Sequence, residues 1–229
     1  MFSEQQIRET ALQDNPASRQ AFLAKHKSQT NKVIGQLVIF YRDFGEATKS
    51  WPRQPRYVTV AQFLHVAGNS LATSLNLLVA GLIVPSGNLV RQYAEAMSMA
   101  MLCSVPSVGV FDAFNANRAT YAVHKSVDRV LKKENARALR ESLGLDAESW
   151  KIFKKSASVF DAHSHSTILA IGSSLRFGKK SAAMILGPEY DPKKFKFYRI
   201  ELLRRFNGAA TLVNVFRAID ATVPRNNAA

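Results

Sequence analysis

Cysteine is nearly missing from this chain. Cys103 stands alone among 229 residues, so no intrachain disulfide can form, and a reducing, cytoplasmic setting is the expectation. The apolar run Met99 to Leu102 before it reads Cys103 as a small core residue. No fixed cation stands near it in sequence to stabilise a thiolate. A secretory leader is not expected either: MFSEQQIRETALQDN has no basic segment followed by an apolar one. The most apolar stretch, Leu71 to Val84, falls short of the ~20 residues that cross a bilayer. It predicts a buried helix and no membrane partner. Glycine and proline are few, 11 and 8, and they cluster, which leaves long segments unbroken.

Acidic residues are scarce too. Lys and Arg number 31 against 17 Asp and Glu, a formal net charge of +14. The excess is uneven: residues 116–229 carry 21 cations and 10 carboxylates, residues 1–115 only 10 and 7. A field of one sign favours polyanionic partners and speeds their encounter, so RNA or another nucleic acid is the expected partner. A solubilising basic surface is the alternative.

What is present is helical periodicity. The 47% apolar fraction supports a packed core and excludes disorder. The reading is one all-α domain, a helical bundle of about seven to nine helices. Residues 1–56 form a helical extension and proline-rich linker, 57–221 the core, and 222–229 a frayed tail. A helix over Ala17 to Phe44 presents Val33, Leu37, Phe40, Tyr41 and Phe44 on one face. Pro52 and Pro55 end it. Thr59 caps a second helix to about Val84, and Pro85-Ser86-Gly87-Asn88 turns into a third that ends near Cys103. A long helix is expected from Phe111 to Lys133, then shorter ones from Glu134 to Leu143, Ala147 to Phe160 and Thr167 to Phe177. The last, Lys193 to Ala221, shows Phe197, Ile200, Leu203 and Phe206 on one face, and later Leu212, Val215, Phe216 and Ile219. No segment alternates like a hairpin strand.

Three constellations could carry chemistry. Arg91 and Glu95 lie four apart on an otherwise apolar helix, so both project from one side. They are either a structural ion pair fixing helix register or a pair lining a ligand pocket. Asp161-Ala162-His163-Ser164-His165-Ser166 precedes an apolar helix. There His165 is either part of a capping segment or a neutral ring able to accept a proton. Arg118 and His124 fit an Arg, four to six residues, then His, and Arg19 with His26 fits the same spacing. No ligand set for a metal is expected: of the candidates only Asp161 lies four residues from His165. Gly172 to Ser181 resembles a phosphate loop with its second glycine one residue late, so no nucleotide cofactor is expected there. Basic stretches at Lys179, Lys180, Lys193, Lys194, Lys196 and Arg199 are candidates for nucleic-acid contact. In the last of these Phe195, Phe197 and Tyr198 interleave with the cations, which suits base stacking together with phosphate pairing. The polar face of an amphipathic helix is the alternative.

The hairpin with Leu78-Val79-Ala80-Gly81-Leu82, then Leu89-Val90-Arg91 and Glu95-Ala96, resembles that of uncharacterised prokaryotic proteins related to the HEPN superfamily. The Trp150 to Lys154 segment and Ser164-His165-Ser166 resemble the same group, and the likeness spans roughly residues 60–220. It implies an all-helical, often dimeric fold. It also implies a metal-independent ribonuclease of toxin or defence systems, in which His does acid–base work and Arg stabilises phosphate charge. Carried over, those residues are His124 and Arg118. The residue after the arginine, usually polar in active members, is Ala119. Arg91, Glu95 and His165 form a second group to which the resemblance assigns no activity.

Overall fold

The computed structural model describes residues 15–145, 150–151, 175–177, 182–184, 187 and 189–225. Four long helices hold most of the core: α1 (Pro16–Ala47), α2 (Pro55–Val79), α3 (Ile83–Ser104) and, after shorter elements, α7 (Phe195–Thr222). Between α3 and α7 lie α4 (Val110–Ala116), α5 (Ser126–Leu131) and α6 (Lys133–Leu143). A two-stranded antiparallel hairpin, β1 (Leu175–Phe177) with β2 (Ala182–Met184), follows; Arg176 faces Ala183 in its register. The architecture is helical, as the periodicity predicts, apart from this short hairpin, which the sequence pattern does not predict. Among the described residues no helix is long and apolar enough to cross a membrane.

Helix α1 begins where Asn15 accepts a hydrogen bond from the Ser18 amide at 3.0 Å, with Pro16 in the first turn. This is the usual chemistry of a helix start, a side-chain oxygen serving an amide that lacks a partner. Its buried stripe is Phe22, His26, Thr30, Val33, Leu37 and Phe40. Helix α2 runs back against it. Ser18 donates to the Ala80 carbonyl at 3.1 Å near one end, and Gly68 sits against Phe40 further along. A Cβ on Gly68 would come within 2.7 Å of the Phe40 ring, so the lack of a side chain sets how closely the helices approach.

Helix α3 pairs antiparallel with α2, and α7 lies in the groove beside both and α1. Phe22 meets Tyr198 at 5.2 Å between ring centroids, and Phe40 meets Phe216 at 5.9 Å. Equal steps along both chains make α1 and α7 parallel. Tyr93 of α3 donates to the Gly208 carbonyl of α7 at 2.8 Å. Burying each such large apolar or aromatic side chain contributes roughly 1.5–3 kcal/mol.

Several boundaries differ from those read in the sequence. Helix α2 starts at Pro55, and Thr59 is buried within it instead of capping it. The turn between α2 and α3 lies at 80–82, upstream of the expected Pro85–Asn88. Gly81 has φ +89°, a conformation that favours glycine. Pro85 falls in the first turn of α3, where its missing N–H costs nothing. The long helix expected from Phe111 to Lys133 is broken after Ala116. Asn117 leaves helical geometry at φ −134°. Asn and Thr side chains offer the backbone local alternatives to helix, and Asn115, Asn117 and Thr120 crowd this segment. Thr167 to Phe177 does not stay helical to its end, since Leu175–Phe177 is a strand; residues 167–174 lie outside the described set.

The second half of the last helix buries Leu212, Val215, Phe216 and Ile219 as the sequence predicts, and only its first half is rotated from the expected face. Tyr198, Leu202, Ala209, Leu212, Phe216 and Ile219 are buried, and so are Glu201 and Arg205. Ile200 and Leu203 are 48% and 58% exposed. A charged pair that satisfies itself can occupy the core face and leave two aliphatic residues outside.

Candidate functional site

Arg91 and Glu95 form the ion pair that their spacing allows. Arg91 Nε donates to Glu95 Oε1 at 2.8 Å, and the side chains are 26% and 17% exposed. Glu95 also serves the chain through its backbone. Its carbonyl accepts from the Ser126 hydroxyl at 2.9 Å, which ties the start of α5 to α3. A single 3₁₀ turn, Val123–Lys125, directly precedes Ser126 and carries His124.

Arg118 and His124 do not share a continuous helix. Arg118 lies in the turn after α4, is exposed, and donates to Asn115 Oδ1 at 2.6 Å. His124 is exposed on its 3₁₀ turn. Arg19, of the parallel spacing, donates to Asn76 Oδ1 at 2.8 Å and ties α1 to α2. His163 and His165 lie outside the described residues, as do Lys179 and Lys180.

The basic stretch at the start of α7 is described in full. Asp191 caps a 3₁₀ turn, Pro192–Lys194, by accepting from the Lys193 amide at 3.0 Å. Lys193, Lys196 and Arg199 are exposed, Lys194 is half-buried, and Phe195 is 36% exposed. The Phe195 ring stacks on His26 of α1, with centroids 4.8 Å apart and planes 27° apart. The Arg199 guanidinium lies 5.9 Å from the Phe195 centroid.

No protein family, curated protein or solved structure matches this chain. Geometry therefore carries the functional argument.

Two buried polar groups were not singled out in the sequence. The first is Arg205, fully buried. Its Nη1 donates to Glu201 Oε2 at 2.9 Å and to the Glu201 carbonyl at 2.8 Å, and its Nε donates to Ser74 Oγ at 3.0 Å. Its Nη2 donates to Ser86 Oγ. Ser74 and Ser86 complete the set by donating to each other's carbonyls at 2.8 and 2.7 Å. Glu201 also pairs with Arg204. Burial pulls the Arg205 pKa down and the Glu201 carboxylate holds it up. Arginine starts so far above neutrality that the pair stays ionised. This network clamps α2, α3 and α7 in register.

The second is His26, also fully buried. Four rings surround it: Phe22 at 4.7 Å, Phe195 at 4.8 Å, Tyr198 at 5.9 Å and Tyr190 at 6.0 Å. Neither ring nitrogen has a hydrogen-bond partner, and nor do the buried Thr30 and Tyr190 hydroxyls or Asp191 Oδ2. Burial first, and the Arg199 cation second, hold His26 below its ordinary pKa. The ring is a neutral spacer beneath the basic surface. Burial likewise pushes the Cys103 thiol up to about 12, which keeps it protonated at neutral pH. Among the described residues no three His, Cys, Asp or Glu side chains are placed to hold a metal ion.

Proposed function

We propose that this chain is a basic helical module that binds single-stranded nucleic acid at the start of α7. One observation carries the reading: Lys193, Lys196 and Arg199 are exposed around the partly exposed Phe195 ring. Cations that track phosphates beside a ring that stacks bases are the recurring elements of sequence-tolerant single-strand recognition. The ring is backed by His26 at 4.8 Å, so it is held in place before a base arrives.

The test is fluorescence anisotropy with labelled single-stranded RNA and DNA across a salt series. Binding should weaken steeply as salt rises, because cations on phosphate release condensed counterions. Changing Lys193, Lys196 and Arg199 together to Ala should remove most of the affinity. Salt-insensitive binding, or full affinity in the triple variant, rejects the reading.

A second reading is a HEPN-like, metal-independent ribonuclease acting as a dimer, with Arg118 and His124 as its phosphate and proton groups. The Ser126–Glu95 hydrogen bond supports it, because it draws the turn with His124 toward the helix of Arg91 and Glu95. RNA incubated with the protein and EDTA separates the two. Cleavage lost in His124→Ala supports an enzyme; intact RNA leaves the binding module.

A further inference from the structure

We infer that the cleft between α6 and Trp150 is a second anion site, built for a nucleotide unit: a flat base carrying phosphate. This site is separate from the surface at the start of α7 and does not rest on it. The cleft measures about 540 Å³, and Leu131, Lys133, Arg137, Arg140, Leu145 and Trp150 are among its lining. That volume lies within the ~300–1,000 Å³ that small-ligand sites occupy.

The chemistry of the lining selects the ligand. Lys133, Arg137 and Arg140 recur at four and three along α6, so they form one stripe. Leu139 and Leu143 of the same helix are buried in the core. Among the described residues one carboxylate, Glu141, lines the cleft against three cations, and it is committed: Arg137 Nε donates to it at 2.8 Å. Lys133 and Arg140 are exposed and have no carboxylate partner among the described residues. Two cations with no carboxylate partner among the described residues suit an anion, and an arginine suits a phosphate by its planar fork of donors.

Another part of the lining is apolar. Leu131, Leu145 and the half-buried indole of Trp150 pack against the core and also border the cleft. A bare inorganic anion would gain nothing from that surface. A ligand with an aromatic part and a charged part uses both at once. A nucleotide has this division, whether free or as one unit of a strand.

Isothermal titration calorimetry tests the assignment with adenosine 5′-monophosphate, adenosine, inorganic phosphate and a short single-stranded RNA. The nucleotide should bind more tightly than adenosine or phosphate alone. Lys133→Ala with Arg140→Ala should weaken it at least tenfold, and Trp150→Phe should weaken it while leaving the phosphate response unchanged. Circular dichroism checks that each variant is folded; the two cations are exposed, so their loss leaves the core intact. The Lys193, Lys196 and Arg199 triple variant should bind the nucleotide as the parent does. Binding of the monophosphate assigns the site to free nucleotide. Binding of the RNA alone, if it is lost with Lys133 and Arg140, assigns it to a unit within a strand. No binding of either, or equal affinity in the double variant, overturns the inference.

Discussion

Glu201 and Arg205, one turn apart on α7, form an ion pair at 2.9 Å with side chains only 4% and 0% exposed. A buried charge without its partner is far more costly than the pair itself is stabilising. Arg205→Ala should therefore lower unfolding free energy by about 3–5 kcal/mol in urea titrations. Replacing both, with Arg205→Met and Glu201→Leu, should cost less than the single change. A single-variant loss under ~1 kcal/mol would show that the network is not the clamp its geometry implies.

The serines of that network make a smaller prediction. Ser74→Ala removes the acceptor of Arg205 Nε and the donor to the Ser86 carbonyl, and Ser86→Ala removes the acceptor of Arg205 Nη2 and the donor to the Ser74 carbonyl. Each should cost about 1–3 kcal/mol, the range for an unsatisfied buried polar group. The double variant should cost less than the sum, because the two hydroxyls share partners. Thermal melts of the four proteins measure the coupling.

Arg91 and Glu95 provide the contrast. Their side chains are 26% and 17% exposed, so water screens and solvates what one partner leaves behind. Arg91→Ala should cost about 1 kcal/mol or less. A loss as large as that of Arg205→Ala would mean that the pair is buried more deeply in solution.

His26 sets a pH dependence. Its folded pKa lies below the ordinary value of 6.5, through burial and then Arg199. Above 6.5 both folded and unfolded chains hold it neutral, and its contribution is complete. As pH falls through 6.5 the unfolded chain takes up a proton first, so stability declines until the folded pKa is reached. Melts between pH 8 and pH 5 should show this decline, and His26→Phe should flatten it. An unchanged slope in His26→Phe would assign the dependence elsewhere.

Gly81 sets a steric one. A Cβ there would meet the Glu189 carbonyl oxygen at 2.4 Å, on a backbone at φ +89°. Gly81→Ala adds strain and a clash together and should cost more than ~1 kcal/mol. Hydrogen exchange should speed up first in residues 189–191. Unaltered exchange there would break the proposed contact between turn and loop.

The sequence alone settled the helical class, because periods of three and four recur and hairpin alternation does not. It also settled the Arg91–Glu95 pair, which is local: four residues on a helix bring two side chains together without help from the rest of the chain. The second half of the α7 stripe, with Leu212, Phe216 and Ile219, was read in the sequence; the first half, Tyr198, Leu202, Arg205 and Ala209, steps by four and three as well. Arg205 hid it, because a cation reads as surface until a carboxylate and two serines are known to meet it. Ser74 and Ser86 lie more than a hundred residues away, and only the packing of α2, α3 and α7 brings them there. His26 was hidden likewise; three of the four rings of its cage, Tyr190, Phe195 and Tyr198, come from the far end of the chain, which local spacing cannot place. The broken helix after Ala116 failed for the opposite reason: side chains of Asn and Thr outcompete a weak helical pattern where no core face holds it. Local geometry decides what nearest neighbours share, and tertiary packing decides which polar groups are buried.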